Sequence, residues 1–219
     1  MTVEQPEPPA NPAAPDPVTN HAPGALDRLH PLRWVIVGFA ALVVTLAGVE
    51  LAMGRSWFGP DGQFGWWSGD IWSSTNSQRV ADAYSFSHIA HGILFYAALW
   101  LVARKLPVRY RFLIAALIEA CWEVLENSPI IINRYREATI ALGYTGDSIL
   151  NSCSDLFMMA TGFLIAWKLR PWMSVALLAA MEIGCLFWVR DNLTLNIIML
   201  IHPIEAIKIW QMGGQPPPG

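Results

Sequence analysis

The sequence predicts an all-α fold, a polytopic transmembrane helix bundle of about six spans with N- and C-termini cytoplasmic. Three observations predict it. First, 54% of the residues are hydrophobic and only 14% are charged, where a soluble domain carries roughly 25% charged residues; the mean hydropathy is +0.37. Second, apolar segments of near-spanning length recur along the chain, and a bilayer demands about 20 such residues per helix because every backbone N–H and C=O must be satisfied within it. Third, the ionisable residues inside those segments recur at helical spacing, which lines them up on single faces. The net charge of −3 argues for no nucleic-acid partner. Cys121, Cys153 and Cys185 sit in apolar stretches without a CxxC pair and read as small hydrophobes.

Residues 1–33 are rich in Pro, Ala and polar residues and read as a disordered cytoplasmic tail that cannot bury enough surface to offset its ordering entropy. A transmembrane helical domain follows over 34–210. Its first span is Trp34–Met53. The loop 54–86 carries Trp57, Trp66, Trp67 and Trp72, aromatics that favour the headgroup region, so this outer loop is expected on the membrane surface. The second span, about Ser87–Leu106, stops at Arg104, Lys105 and Pro107. The third covers about Phe112–Ile132, the fourth Asp147–Trp167 and the fifth Trp172–Val189. The sixth, Leu193–Ile209, is interrupted by Pro203; it either crosses or forms a half-span followed by an interfacial amphipathic helix. Residues 211–219 form a disordered C-terminal tail. With six spans the larger group of basic residues, Arg104, Lys105, Arg109, Arg111, Lys168 and Arg170 among them, falls on the side of both termini, which makes that side cytoplasmic.

Ionisable groups within a bilayer are costly and mark functional candidates. His88 and His91 are three apart and share a face with Tyr84. Glu119, Glu123 and Glu126 form an i, i+4, i+7 stripe, and Asp147, Asn151 and Asp155 form another. The alternation of the spans puts these stripes, with Glu50 and the run Arg190-Asp191-Asn192, at the outer end. The expectation is an outward-facing polar cavity above an apolar inner half. Two imidazoles with carboxylates suit a divalent metal such as zinc, manganese or iron, giving His88, His91 and Glu123 as metal ligands and Glu126 or Asp147 as general base. Arg134 and Arg136 match the geometry of a phosphate and, with Asn151, are the substrate-binding candidates; they equally suit interfacial anchors. The competing reading makes the polar stripes hydrogen-bonded glue between helices, in a scaffold, assembly factor or small transporter. Glu182 has no evident partner, and His202 beside Pro203 reads as a local backbone cap.

The runs Ser87-His88-Ile89-Ala90-His91-Gly92, Glu119-Ala120-Cys121-Trp122-Glu123-Val124-Leu125-Glu126-Asn127, Arg134-Tyr135-Arg136-Glu137-Ala138-Thr139, Gly146-Asp147-Ser148-Ile149-Leu150-Asn151-Ser152 and Arg190-Asp191-Asn192-Leu193-Thr194-Leu195-Asn196 resemble a family of uncharacterised bacterial integral membrane proteins over about residues 34–210. That resemblance implies an inner-membrane location and no particular activity. A looser likeness, to VanZ-like membrane proteins, maps onto His88 or His91, Glu123, and Asp147 with Asn151, while Glu119, Glu126 and the Trp-rich loop depart from it. The expected function is binding or processing of an envelope lipid or lipid-linked intermediate, with the bilayer and its lipid headgroups as partners.

Overall fold

A computed structural model describes residues 25–141 and 143–213, with side-chain surroundings from Leu32 onward. Among the described residues the chain forms eight helices and one pair of two-residue strands: α1 (Ala25–Ala52), β1 (Trp67–Ser68), β2 (Ala81–Asp82), α2 (Ser85–Val102), α3 (Val108–Glu126), α4 (Pro129–Ala138), α5 (Ile149–Lys168), α6 (Pro171–Val189), α7 (Leu193–Ile201) and α8 (Glu205–Met212). Four helices are long and apolar enough to cross a membrane, namely Leu32–Ala52 of α1, and α2, α5 and α6. The expected tails lie largely outside the described residues, but α1 already begins at Ala25 and α8 runs to Met212, so the edges of both tails are helical.

Two expected spans take a different form. The third stops at Glu126 and a separate helix restarts at Pro129. Pro129 has no N–H to give an interior turn, so it suits a first helical position, and the Ser128 side chain accepts from Ile131 N as N-cap. The sixth is broken at Pro203 into α7 and α8. Nine residues of α7 reach about 14 Å at 1.5 Å each, half of a hydrocarbon core of roughly 30 Å. The half-span alternative is the form the chain takes.

The long helices run alternately up and down. Ser85, Gly92 and Tyr96 of α2 meet Asp155, Met159 and Phe163 of α5 in the same order, so α2 and α5 are parallel. The α3 helix is antiparallel to both, with Glu119 beside His88 and Arg111 over the Tyr96 ring. At one end Arg55, just after α1, donates to the carbonyls of Thr145 and Asp147 before α5. At that same end Asp191, just after α6, accepts from Tyr84 before α2. Gln211 of α8 returns to Asp191 at 2.9 Å, so the last described residues stay at this end while α1 begins at the other. The described residues thus begin and end at opposite ends of the bundle, where the expectation of both termini on one side needed a sixth crossing.

The α2–α5 contact is set by two glycines. A Cβ on Gly92 would lie 2.0 Å from the carbonyl oxygen of Met159, and one on Gly162 would lie 2.0 Å from that of Ile89. The backbones touch, a closeness that only small residues permit. Beneath the polar end, Leu46, Ala115, Ala116, Ala120, Leu156, Met159 and Phe163 close into an apolar core.

The loop between α1 and α2 is built onto α5. The first N–H groups of a helix lack intrahelical partners. Here Ser148 N, Ile149 N and Leu150 N donate to the carbonyls of Ser77, Ser56 and Trp57. The Ser148 side chain accepts from Asn151 N as N-cap. The loop's Trp57, Trp66, Trp67 and Trp72 are all exposed, and Trp67 stacks on Trp188 of α6 at 5.7 Å.

Candidate functional site

At the end where the loop, α4 and α7 gather, a cavity of about 360 Å³ opens among α2, α3, α5 and α7. Polar side chains come from His88, His91, Glu126, Asn151, Asp155 and Asp191, with the hydroxyls of Tyr84, Tyr135 and Tyr144. Apolar side chains come from Leu94, Phe95, Ile118, Trp122, Ile197 and Leu200.

The floor is a cluster of imidazoles and carboxylates. The i, i+3 spacing of His88 and His91 turns both rings to one side of α2, and the i, i+4 spacing of Glu119 and Glu123 does the same on α3. Glu119, wholly buried, lies 2.7 Å from Nδ1 of His88 through Oε1 and 3.1 Å from Nδ1 of His91 through either oxygen. Oε1 of Glu123 is 3.3 Å from His88 Nδ1. Nε2 of His88 is 3.8 Å from Asp155 on α5. Both oxygens of Glu123 are buried without a hydrogen-bond partner, a condition that costs on the order of 1–3 kcal/mol and more for a charged group. Two sets of side chains bring ligand atoms within 4.8 Å of one another, namely His88, His91 and Glu119, and His88, Glu123 and Glu126.

Of the expected metal ligands, His88 stands in both sets, while His91 belongs to the set with Glu119 and Glu123 to the set with Glu126. Glu119, placed on the stripe by its spacing but not assigned as a ligand, is the carboxylate both histidines face. Its signal was the same i, i+4 relation that singled out Glu123. Of the two expected bases, Glu126 lines the cavity. Asp147 lines it as well but is fully engaged: Tyr144 donates to Oδ1 at 2.9 Å, Asn127 lies 3.3 Å from Oδ2, and the Asp147 N–H donates to Asn127 Oδ1 at 2.6 Å. Asn151 lines the cavity and donates to the Arg79 carbonyl at 2.9 Å. Burial pushes the Asp147 carboxyl up to about 6, against the lowering bond from Tyr144. Burial likewise lifts Asp191 to about 6, against bonds from Asn192, Tyr84 and Gln211.

Arg134 and Arg136 are not among the residues lining the cavity, which corrects the phosphate-grip expectation. Arg134 donates to the carbonyls of Leu200 and Ile201, capping the end of α7. Arg136 donates to Tyr144 O. The other arginines of this end are spent in the same way, Arg55 on Thr145 O and Asp147 O, Arg79 on Asp61 and Gln63 O, and Arg190 on Trp210 O. Among the described residues no lysine or arginine faces the cavity.

Several functional positions were invisible to spacing alone. Asn127, one residue past α3, reaches Glu50 Oε1 and Ser152 Oγ at 3.1 Å each as well as Asp147, joining α1, α3 and α5. Tyr135 donates to Asn196 Oδ1 at 3.1 Å, which holds α7 against α4. Glu182, without an evident partner in the sequence, accepts from Leu193 N at 3.1 Å and Thr194 N at 3.0 Å. It supplies the negative charge that a helix N-terminus favours.

Residues 50–213 match a family model described as a protein of unknown function, DUF2585. The chain is 49% identical over 181 residues to a UPF0314 protein of Sphingopyxis alaskensis, covering 83% of this chain and 95% of that one. It is 48% identical over 184 residues to one of Rhizobium johnstonii, covering 84% and 94%. A UPF0314 protein of Paracoccus denitrificans is 47% identical over 171 residues, covering 78% and 89%. No solved structure matches. The chain belongs to this family of uncharacterised bacterial proteins.

Proposed function

We propose that this member of the DUF2585 family is a multi-pass protein of the bacterial inner membrane whose outer-end cavity binds the head of a membrane amphiphile, an envelope lipid or lipid-linked intermediate. The observation that carries the reading is the two-sided lining. The floor is hydroxyl, amide, imidazole and carboxylate, while the rim residues Leu94, Ile118 and Ile197 are 42%, 43% and 45% exposed. A solute whose own surface passes from polar to apolar over that distance is an amphiphile, and each methylene withdrawn from water contributes about 0.8 kcal/mol. The head is rich in hydrogen-bond donors. The Tyr84, Tyr135 and Tyr144 hydroxyls already donate to Asp191, Asn196 and Asp147, so their oxygens and the carboxylates are left to accept. With no guanidinium or ammonium in the lining, an anionic head finds no cationic side chain as a partner in the metal-free cavity.

Glu126 is the carboxylate we assign to proton transfer, because it borders both the histidine cluster and the cavity. Asp147 is a positioning residue tied to Asn127 and Tyr144. A transporter has less support, since the apolar core of Leu46, Ala116, Leu156 and Phe163 fills the bundle below the cavity.

The test is binding of probes with one twelve-carbon tail and three heads (glucoside, amine and phosphate) to purified protein in nanodiscs, followed by quenching of tryptophan fluorescence. Trp122→Phe identifies the reporter. Saturable binding of the glucoside or amine at least ten-fold tighter than the phosphate supports the reading. Preferred binding of the phosphate, or no saturable binding of any probe, would sink it.

A further inference from the structure

We infer that His88, His91 and Glu119 form a divalent-cation site bordering the cavity, with the Glu123 carboxylate beside His88 within reach of the same ion. The first ground is convergence. Glu119 faces the Nδ1 atoms of both histidines at 2.7 Å and 3.1 Å, and Glu123 Oε1 is 3.3 Å from His88 Nδ1. Ligand atoms around a tetrahedral zinc, with bonds near 2.0–2.1 Å, stand roughly 3.3–3.5 Å apart. The separations of Glu119 from both histidines lie just inside that spacing, and His88, His91 and Glu119 hold ligand atoms within 4.8 Å of one another.

The second ground is independent of spacing. Glu123 is wholly buried and neither of its oxygens has a hydrogen-bond partner. Backbone N–H groups and the Tyr84 and Gln211 side chains complete two other buried carboxylates at this end, Asp82 from Ser77 N and Tyr84 N, and Asp191 from Tyr84, Asn192 N and Gln211, while Glu50 keeps one open oxygen. Glu123 is left open on the side where the His88 imidazole stands. A cation supplies what the carboxylate lacks, and it also replaces the protons that two Nδ1 groups otherwise share with one Glu119.

The donor set selects the ion. Two imidazole nitrogens with carboxylate oxygens suit zinc, iron or manganese, whereas calcium and magnesium take oxygen-only shells. Among these zinc is the assignment, because the divalent order of affinity places it above manganese and iron(II) for such donors. His91 and Glu126 border the cavity, so a position on the ion faces the space where the head of the amphiphile would lie. The site stands independently of the amphiphile reading, since its residues bind or fail to bind the ion with the cavity empty.

The experiment uses full-length protein purified without a histidine tag and dialysed against zinc chloride alone, with metal counted by elemental analysis. Cobalt(II) serves as an optical probe of the same site. Wild type is expected to hold about one zinc per chain and to give the intense visible bands of four-coordinate cobalt. His91→Ala, chosen because His91 is only partly buried, and the near-isosteric Glu119→Gln should each bind zinc at least ten-fold more weakly while keeping wild-type circular dichroism. His202→Ala removes an exposed histidine and should change nothing. Folded wild type without zinc above background, cobalt bands of a six-coordinate ion, or loss of zinc in His202→Ala but not His91→Ala each overturns the assignment. Because amphiphile binding is read by fluorescence in separate samples, either proposal can fail while the other stands.

Discussion

Asp191 carries its charge at a cost. It is 3% exposed, and burial lifts its carboxyl from the usual carboxylate range to about 6. A raised carboxyl binds its proton more tightly folded than unfolded, so its contribution to stability is complete below the unfolded value and is lost as pH rises through about 6. Thermal unfolding in detergent should therefore show wild type losing stability between about pH 4 and 6.5. Asp191→Asn keeps an acceptor for Tyr84 and Gln211, and it should flatten that fall by on the order of 3 kcal/mol. An unchanged pH profile in the variant would rule the cause out. At this scale the sequence was half legible. The periodicity that aligned His88 with His91 and Glu119 with Glu123 is a property of each helix itself, whereas the antiparallel packing of α2 on α3 decides that Glu119 meets both histidines. Arg134 and Arg136 were misread because a guanidinium is equally suited to phosphate and to the carbonyls at a helix end, and only the position of α7 decides between them.

Helix pairing rests on a contact with no slack. Gly162→Ala puts a methyl into the Ile89 carbonyl region at 2.0 Å, so α2 and α5 must separate. We expect a loss of at least 2–3 kcal/mol, at the upper end of overpacking costs because the obstacle is backbone. The separation also withdraws His88 from Asp155. A thermal midpoint within about 1 °C of wild type would contradict it. Glu182→Ala should cost about 1–2 kcal/mol through the lost cap on α7, and faster amide exchange at Leu193 and Thr194 is the readout. Neither device was legible, for different reasons. Gly92 and Gly162 lie on separate segments, and nothing local to either says that they face each other. Glu182 caps a helix that begins after its own helix has ended, so its partner depends on the turn at Arg190, which adopts a left-handed φ of 56°.

For the whole molecule the prediction is topological. Five long helices alternate in direction, and α7 and α8 remain at the end reached by α6. Reporter fusions should therefore place the N-terminus inside and the C-terminus outside. A C-terminal alkaline phosphatase should be active and a C-terminal fluorescent protein dark; the reverse would restore a sixth crossing. The helical class was legible because composition and segment length follow from the bilayer itself. The break at Pro203 into α7 and α8 was not, since a proline-interrupted apolar segment reads the same whether it continues or folds back. The use of Arg55, Arg134, Arg136 and Arg190 at the cavity end was not legible either, since their donation to backbone carbonyls depends on which helix ends lie beside them.

The parallel pairing of α2 with α5 has a consequence in time. Ser85 and Asp155, which meet across that pair, are 70 residues apart, and a ribosome adding roughly 5–20 residues per second needs several seconds to supply the second after the first. During that interval α2 has its glycine face uncovered, and only α3 has arrived to bring Glu119 against His88 and His91. The imidazole–carboxylate cluster is thus among the tertiary contacts the nascent chain can complete before α5, following Arg111 on Tyr96 and Phe39 on Phe112, and it holds the hairpin in register until α5 is released to dock. A cluster of that kind serves biogenesis before it serves any ligand. Mutations in it should lower the yield of inserted protein during translation, even where the finished molecule, once assembled, would tolerate them.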